Sequence, residues 1–472
     1  MPEETPVNIR RGDEVTLDIE SLAFGGRGIA RVDGLTVFVE GALPGDSVRA
    51  RIIRKKQRYA EARLMEIILP APDRTEPPCR YFGYCGGCVL QNLAYDRQLE
   101  YKRQHVVDSL EHIALMPDVR VHPVLPSARL FGYRNKMEFS CSDRRWLLPV
   151  EMGREDLDTG FALGLHVPGT FNKILDIEQC LLFPDDGNRI LAAVRELIRQ
   201  SSVPVYNLKT HAGFWRFVML RHSVAADTWM VNIVTAFEDR PRVQPLADMI
   251  AGSFPKVSSV MNNINGRKAA IAAGEREILL YGDAVIEDRI GRFRFDISAN
   301  SFFQTNTPGA EALYRVAESY AALSGTETVM DLYCGTGTIA IRLSGAAREV
   351  VGLEINPACV ADADANCRKN GIDNARFIAG DVRETLNRIG QPPDVLVIDP
   401  PRAGMHPDVV AQVLGLATPK IVYVSCNPAT LARDIGLLKE HYTVAEVQPV
   451  DMFPHTPHIE CVARLIHKKD GS

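Results

Sequence analysis

Apolar and polar positions along this chain follow three regimes. Between residue 7 and about 69, the runs VTLDIESLAF, GIARVDG, LTVFVEG and SVRARIIRK alternate apolar with polar and are cut by GG, DG and LPGD. Short alternating runs between turn residues predict strands, and this spacing predicts a small closed β-barrel of the OB type. A proline-rich joint, LPAPDRTEPP (69–78), breaks the pattern. Segment 92–115 changes to a helical period, with Leu99, Val106, Leu110 and Ile113 on one face. From about 123 to 297, strand-like runs (216–223 and 228–236) share the chain with a helix near 187–200, which reads as an α+β region. From about 300 the runs TVMDLYC (328–334), VVGLEIN (350–356), ARFIAGD (375–381), DVLVIDPP (394–401) and KIVYVSCNP (420–428) are each followed by a helical pattern. Tandem βα units predict a doubly wound parallel sheet, with ligands at the carboxyl ends of its strands.

Length and composition bound this picture without redirecting it. The 472 residues suit two to four domains at about 100–200 residues each. With 46% apolar and 24% charged residues, the chain is neither disordered nor fibrous. MPEETPVNIRRGDE lacks the apolar core of a secretion signal, and no run reaches the roughly 18 apolar residues of a membrane span. Ten cysteines are too sparse for a disulfide scaffold, so a cytoplasmic, reduced protein with no membrane partner is expected.

A formal net charge of −5 speaks against nucleic acid on its face, but the charge is uneven. Residues 49–63 hold Arg49, Arg51, Arg54, Lys55, Lys56, Arg58 and Arg63 against Glu61 alone, with Tyr59 among them. Such an edge suits a phosphate backbone. Arg129-Leu-Phe-Gly-Tyr-Arg-Asn-Lys136 interleaves aromatics with cations, a composition that suits unstacked single-stranded RNA. Arg216 and Arg221 are expected to add to that surface.

The strand ends carry the chemistry. Asp331-Leu-Tyr-Cys-Gly-Thr-Gly-Thr338 follows a strand and opens a helix, and Gly335 and Gly337 would let the backbone approach a ligand. Glu354 ends the next strand, where a carboxylate can take both hydroxyls of a ribose. A dinucleotide and S-adenosylmethionine both fit that pattern. The later strands separate them. Asp381 ends the third run where it could accept from an adenine amino group, the fourth ends in Asp399-Pro-Pro-Arg-Ala-Gly404, and the fifth in Ser425-Cys-Asn-Pro428. Hydride transfer needs no cysteine nucleophile beside an acidic loop, whereas methylation of a poorly nucleophilic carbon needs both. Separately, Cys79, Cys85 and Cys88 share a short glycine-containing loop, and soft thiolates so spaced bind zinc or an iron–sulfur cluster. A fourth ligand would be Cys141 or Cys180.

FFQTN (302–306), DLYCGTG (331–337), DPPRAG (399–404), SCNPATLARD (425–434), FPHTPHIE (453–460) and CRYFGYCGGC (79–88) resemble the RNA uracil-C5 methyltransferase family. The resemblance implies a multidomain chain. A TRAM-like, OB-type barrel would occupy 7–69, and an α+β central domain 70–91 and 123–297. An α/β Rossmann-like class I methyltransferase would occupy 92–122 and 298–472. It implies Cys426 as nucleophile and Glu460 as base, with Asp399 close to cofactor and target base. Gln304, Tyr333, Thr338, Glu354 and Asp381 match the family's contacts to S-adenosylmethionine. Cys180 becomes the fourth ligand and the group a [4Fe–4S] cluster, with zinc the alternative. His455 and His458 are either site residues or capping and solvated ones. The barrel implies 23S rRNA as the RNA partner of a monomer. The alternatives are a tRNA T-loop enzyme and a non-catalytic RNA-binding protein.

Overall fold

Alternation accounts for the first sheet. In the computed structural model, which describes residues 9–386 and 391–468, Val37, Val39, Val48, Ala50, Ile52, Ala60 and Ala62 all point into one small core. Residues 7–8 of the expected barrel and 387–390 and 469–472 of the last expected domain lie outside the described residues. Strand Glu14–Asp18 pairs with Ser47–Lys55, and two residues later Ser21–Leu22 pairs with Arg27–Val32. One bent segment thus joins both ends of the sheet and closes it. Alanines inside keep so narrow a barrel fillable.

The middle of the chain builds a mixed seven-stranded sheet among the described residues. Its central strands, Trp215–Ser223 and Thr228–Thr235, are buried on both faces. Helices Asp185–Gln200 and Arg240–Ser253 pack their apolar sides into its core with Trp215, Trp229, Phe139 and Phe183.

The C-terminal sheet, the catalytic sheet of the sections below, has seven strands among the described residues, numbered within it. They are β1 (Thr328–Leu332), β2 (Glu349–Glu354), β3 (Ala375–Ala379), β4 (Val395–Ile398), β5 (Lys420–Ser425), β6 (Tyr442–Val450) and β7 (Glu460–His467). They lie in the order β3-β2-β1-β4-β5-β7-β6, parallel except for β7, which is antiparallel to both neighbours. This is the class I methyltransferase arrangement. The order reverses at β1, so a crevice opens beyond the carboxyl ends of β1 and β4.

Helix Tyr95–His112 shares a core with this sheet through Val106 and Leu110, beside Ile435 and Leu438 of helix Pro428–Leu438. Its buried stripe runs Gln98, Lys102, Val106, Leu110. Leu99 is only half-buried, and Ile113, expected on that face, is the helix C-cap and 47% exposed. No described helix is long and apolar enough to cross a membrane.

Candidate active site

The carboxyl ends of β1, β2, β4 and β5 line a cleft of about 570 Å³, within the roughly 300–1,000 Å³ of a pocket for one small molecule. After β1, Tyr333 takes a left-handed φ of +64°, a conformation a bulky residue holds only under local constraint. A Cβ on Gly335 would meet no atom within 4 Å, whereas one on Gly337 would stand 2.8 Å from Phe377 of β3. Gly335 therefore borders the open cleft. Gly337 serves the packing of the turn. Glu354 accepts the Gly335 amide at 3.1 Å and the Asn356 amide at 2.8 Å, one oxygen for each.

Asp331 forms part of the cleft wall, fully buried, and neither carboxylate oxygen has a well-formed hydrogen bond, the Ala340 amide alone approaching closely enough to oppose the effect of burial. Burial first, and the Asp399 charge second, push its pKa well above the carboxylate range. Gln304 and Thr338 also line this end, as does Tyr314, whose hydroxyl lies 3.1 Å from the Thr338 hydroxyl. Asn135 holds the Gln304 segment by donating to its carbonyl at 2.8 Å.

At the other end, strand register brings the acid and the thiol together. Ser425 of β5 pairs with Cys461 of β7, so Cys426 and Glu460 face one another at the same sheet edge. Asp399 follows β4, the other neighbour of β5. Cys426 directly precedes Asn427, whose side chain caps helix Pro428–Leu438. A helix N-terminus favours a thiolate. Burial and the Glu460 carboxylate outweigh it and raise the thiol pKa, with Arg402 pulling it down. Burial, then Asp399, pushes Glu460 up to about 8, again opposed by Arg402. Burial lifts Asp399 to about 7. Asp434 fixes the loop carrying Arg402, accepting the Met405 amide at 2.8 Å and the Tyr423 hydroxyl at 2.6 Å.

The turn leading to Glu460 is held from the N-terminal side. Lys102, fully buried, donates to Asp451 at 2.7 Å and to the Phe453 carbonyl at 3.1 Å. Gln98 accepts the His455 amide at 3.0 Å. His455, at φ +65°, accepts the Val89 and Leu90 amides through its carbonyl at 2.9 and 3.0 Å. It is neither a cap nor solvated. It joins the loop after Cys88 to the turn before Glu460. Burial and nearby cations lower His458 to about 4, so it is neutral at pH 7.

A model for tRNA (uracil-5-)-methyltransferases matches residues 392–468, a TRAM domain model matches 10–65, and a general methyltransferase domain model matches 329–412. A Chlorobaculum tepidum protein described as an uncharacterized RNA methyltransferase is 41% identical over 98% of both chains. A Bacteroides thetaiotaomicron protein of the same description is 42% identical over 94% of this chain and 99% of its own. Among solved structures, Pyrococcus abyssi tRNA (uracil-54, C5)-methyltransferase in complex with S-adenosyl-L-homocysteine is 30% identical. It covers 96% of this chain and all of its own, with a TM-score of 0.75. The chain belongs to the RNA (uracil-5-)-methyltransferase family. It is an RNA methyltransferase of the class I fold with a TRAM domain.

Several residues expected at this methyltransferase's site stand elsewhere. Asp381 lies outside the cleft lining and caps helix Val382–Thr385, its carboxylate held by the Arg383 guanidinium at 2.5–3.1 Å, which lowers its pKa to about 2. Arg216 and Arg221, expected on an RNA surface, are 2% and 3% exposed and donate to backbone carbonyls. Tyr133 is buried, its hydroxyl donating to the Pro454 carbonyl at 3.1 Å. Phe131 stays partly open, stacked on His455 at 4.4 Å. The basic edge of the barrel is exposed but partly neutralised across strands, Arg49 by Glu66, Arg51 by Glu14 and Arg54 by Glu61.

The four predicted metal-site cysteines, Cys79, Cys85, Cys88 and Cys180, line one cavity with Tyr81, Met137 and Leu165, and Cys141 lies outside it. Burial raises all four thiols, Cys88 to about 12 and Cys180 to about 11. Among the described residues, no group of three or more Cys, His, Asp or Glu is placed to hold a single metal ion.

Proposed function

We propose that this protein transfers a methyl group from S-adenosylmethionine to C5 of a uracil in RNA, 23S rRNA first, to give 5-methyluridine. The observation carrying this reading is the register that sets Cys426 against Glu460 at one end of a cleft whose other end is shaped for a nucleoside. The residues present fit the cofactor: Gly335 leaves its backbone uncovered, Glu354 ends β2, and the Asp331 carboxylate, without a well-formed hydrogen bond, suits an ammonium group. Gln304, Tyr333 and Thr338 would complete its walls. Asp381 would reach an adenine amino group only after Arg383 releases it. S-adenosylmethionine, when bound, supplies an electrophilic methyl group that leaves its sulfonium sulfur as a thioether departs.

The protein's own residues do the rest. Uracil C5 is too weak a nucleophile unaided, so the Cys426 thiolate adds to C6 and the displaced electron pair makes C5 an enolate carbon. Once C5 carries the methyl group, the Glu460 carboxylate takes the C5 proton, the C5–C6 double bond re-forms and Cys426 leaves as thiolate. A carboxylate with a pKa of about 8 is a stronger base than an ordinary one. Asp399 stands beside both partners and raises the pKa of each. C6 is out of reach in a stacked helix, so the uridine is taken out of its stack.

The division into barrel, central and methyltransferase units belongs to this reading, and the packing of helix Tyr95–His112 on the catalytic sheet supports it. The barrel supports ribosomal RNA. A second reading, tRNA, draws on the Pyrococcus abyssi tRNA enzyme, whose match over 96% of this chain must include most of the barrel. For the cysteine cavity we propose a [4Fe–4S] cluster held by Cys79, Cys85, Cys88 and Cys180, with a structural or RNA-positioning role. Zinc is the alternative occupant of the same four thiols. Absorbance near 400 nm after anaerobic purification, lost in Cys85→Ser, is the expected result. We further propose a cytoplasmic monomer. Mapping 5-methyluridine in 23S rRNA and tRNA from cells with and without the protein tests the substrate. Loss confined to rRNA supports the first reading, loss confined to tRNA the second, and no loss refutes both.

A further inference from the structure

The central sheet holds a second cleft, distinct from the catalytic one and sharing only His166 with the four-cysteine cavity. Its floor is made by Ser140, Ser142, Arg216 and Phe217, and Tyr206 forms one wall. Arg216 is 2% exposed, with its guanidinium 4.2 Å from the centre of the Tyr206 ring. Its terminal nitrogens donate to the carbonyls of Asn265, Arg267 and Ala269, yet its Nε has no partner. His166 shares a hydrogen bond of 3.0 Å between Nε2 and the Ser140 hydroxyl, and its buried Nδ1 also has none. Leaving a buried polar group unsatisfied is costly, so two residues of one cleft lining with such atoms mark a place for a polar ligand.

The mouth identifies the ligand. Arg144 and Lys209 stand exposed there, and among the described residues neither has an ion-pair partner. The one acid in the lining, Asp143, accepts from Asn207 at 2.6 Å. Phe171, next in sequence to the lining residue Asn172, is 68% exposed, and Trp146, whose amide donates to the carbonyl of the lining residue Ile174 at 2.8 Å, is 39% exposed with the Lys173 ammonium 3.9 Å over its ring. Flat apolar walls, hydroxyl and amide groups inside, and unpaired cations at the opening are the chemistry of a nucleotide, with the base inside and the phosphate at the mouth.

We infer that this cleft takes one nucleotide of single-stranded substrate RNA, at a point separate from the uridine that is methylated. The inference rests on RNA being the substrate. It gives the central domain a share in choosing the site, because a second anchored nucleotide sets the distance and direction from which the target uridine enters the catalytic cleft.

The test uses the full-length protein, the double variant Arg144→Glu/Lys209→Glu, and a substrate RNA carrying 4-thiouridine. In the wild type, cross-links are expected in peptides containing residues 140–144, 171–173 or 206–217. The variant is expected to bind RNA on the order of tenfold more weakly. Its slope of log affinity against log salt should be shallower by about 0.7, the value for the one single-strand phosphate at the mouth. The loss should appear in KM for RNA and not in KM for S-adenosylmethionine. Unchanged affinity and slope, or cross-links confined to barrel and catalytic peptides, overturn the inference. Saturable binding of uridine monophosphate that the variant loses, with RNA affinity intact, assigns the cleft to a free nucleotide and also overturns it. A wild type that neither binds nor methylates RNA overturns the proposed function itself.

Discussion

Arg402 is the exposed cation that opposes the upward shift of both Cys426 and Glu460, which makes Arg402→Gln a sharp probe of the site's electrostatics. The active forms are the thiolate and the carboxylate, and both fill as pH rises. Glu460, at about 8, is roughly one-tenth ionised at pH 7. An opposite charge within about 4–6 Å lowers a carboxyl pKa by about 1–3 units. Solvent screening of the exposed guanidinium puts this case at the low end, about one unit or about 1.4 kcal/mol. Removing the cation therefore moves the rising limb of kcat/KM up by about one pH unit. Activity at pH 7 falls at least tenfold, about tenfold through Glu460 alone with Cys426 adding to it, and the deficit narrows as pH rises past the Glu460 value. The assay is methyl incorporation into substrate RNA at limiting RNA from pH 6 to 9.5, in short incubations. A loss of equal size at every pH would refute the reasoning, because Arg402 would then be acting on the RNA and not on the two titrating groups.

Glu460→Gln should lower turnover by about 10²–10⁴ and accumulate a methylated, denaturant-resistant protein–RNA adduct. Turnover at the native rate, read on a denaturing gel with labelled methyl donor, would show the base to be misassigned. Asp331→Asn should weaken cofactor binding yet stabilise the ligand-free protein at pH 8. The raised pKa means the folded state keeps a proton that the unfolded chain releases above about 3.9. Stability is thereby lost as pH rises, and the gain should fade on acidification toward that value in thermal melts. Lys102→Met strips a buried carboxylate of its cation and should cost about 3–5 kcal/mol. A melting point within a degree of wild type would contradict the role given to that pair.

The parallel strands of the catalytic sheet were legible because burial on both faces leaves unbroken apolar runs, as in VLVI of β4. β6 and β7 were not, since Glu446, Gln448 and Pro449 interrupt one and Arg464 the other, and so the register that opposes Glu460 to Cys426 was invisible. Gln98 and Lys102 were missed because they are polar residues on a buried face, where an apolar count registers nothing. A spacing of four from Gln98 through Lys102 and Val106 to Leu110 was the available signal. Arg216 and Arg221 carry the right residue type for RNA but sit in a strand covered on both sides, so they offer no open surface and carbonyls take their terminal nitrogens, leaving each Nε without a partner. The basic stretch at 49–63 overstated its charge because Glu14 and Glu66, which meet Arg51 and Arg49 across strands, fall outside that window. Asp331 opens the glycine turn in the sequence with nothing there to set it apart, and only its burial without well-formed partners marks it out.

The central claim is that Cys426 attacks C6 of the target uracil and Glu460 ends the reaction by removing the C5 proton. RNA carrying 5-fluorouridine at the modified position tests this most directly, because fluorine cannot leave C5 as a proton. The wild type with S-adenosylmethionine should form a stable adduct whose cross-linked peptide contains Cys426, and Cys426→Ala should form none. An adduct of undiminished yield from Cys426→Ala would contradict the account.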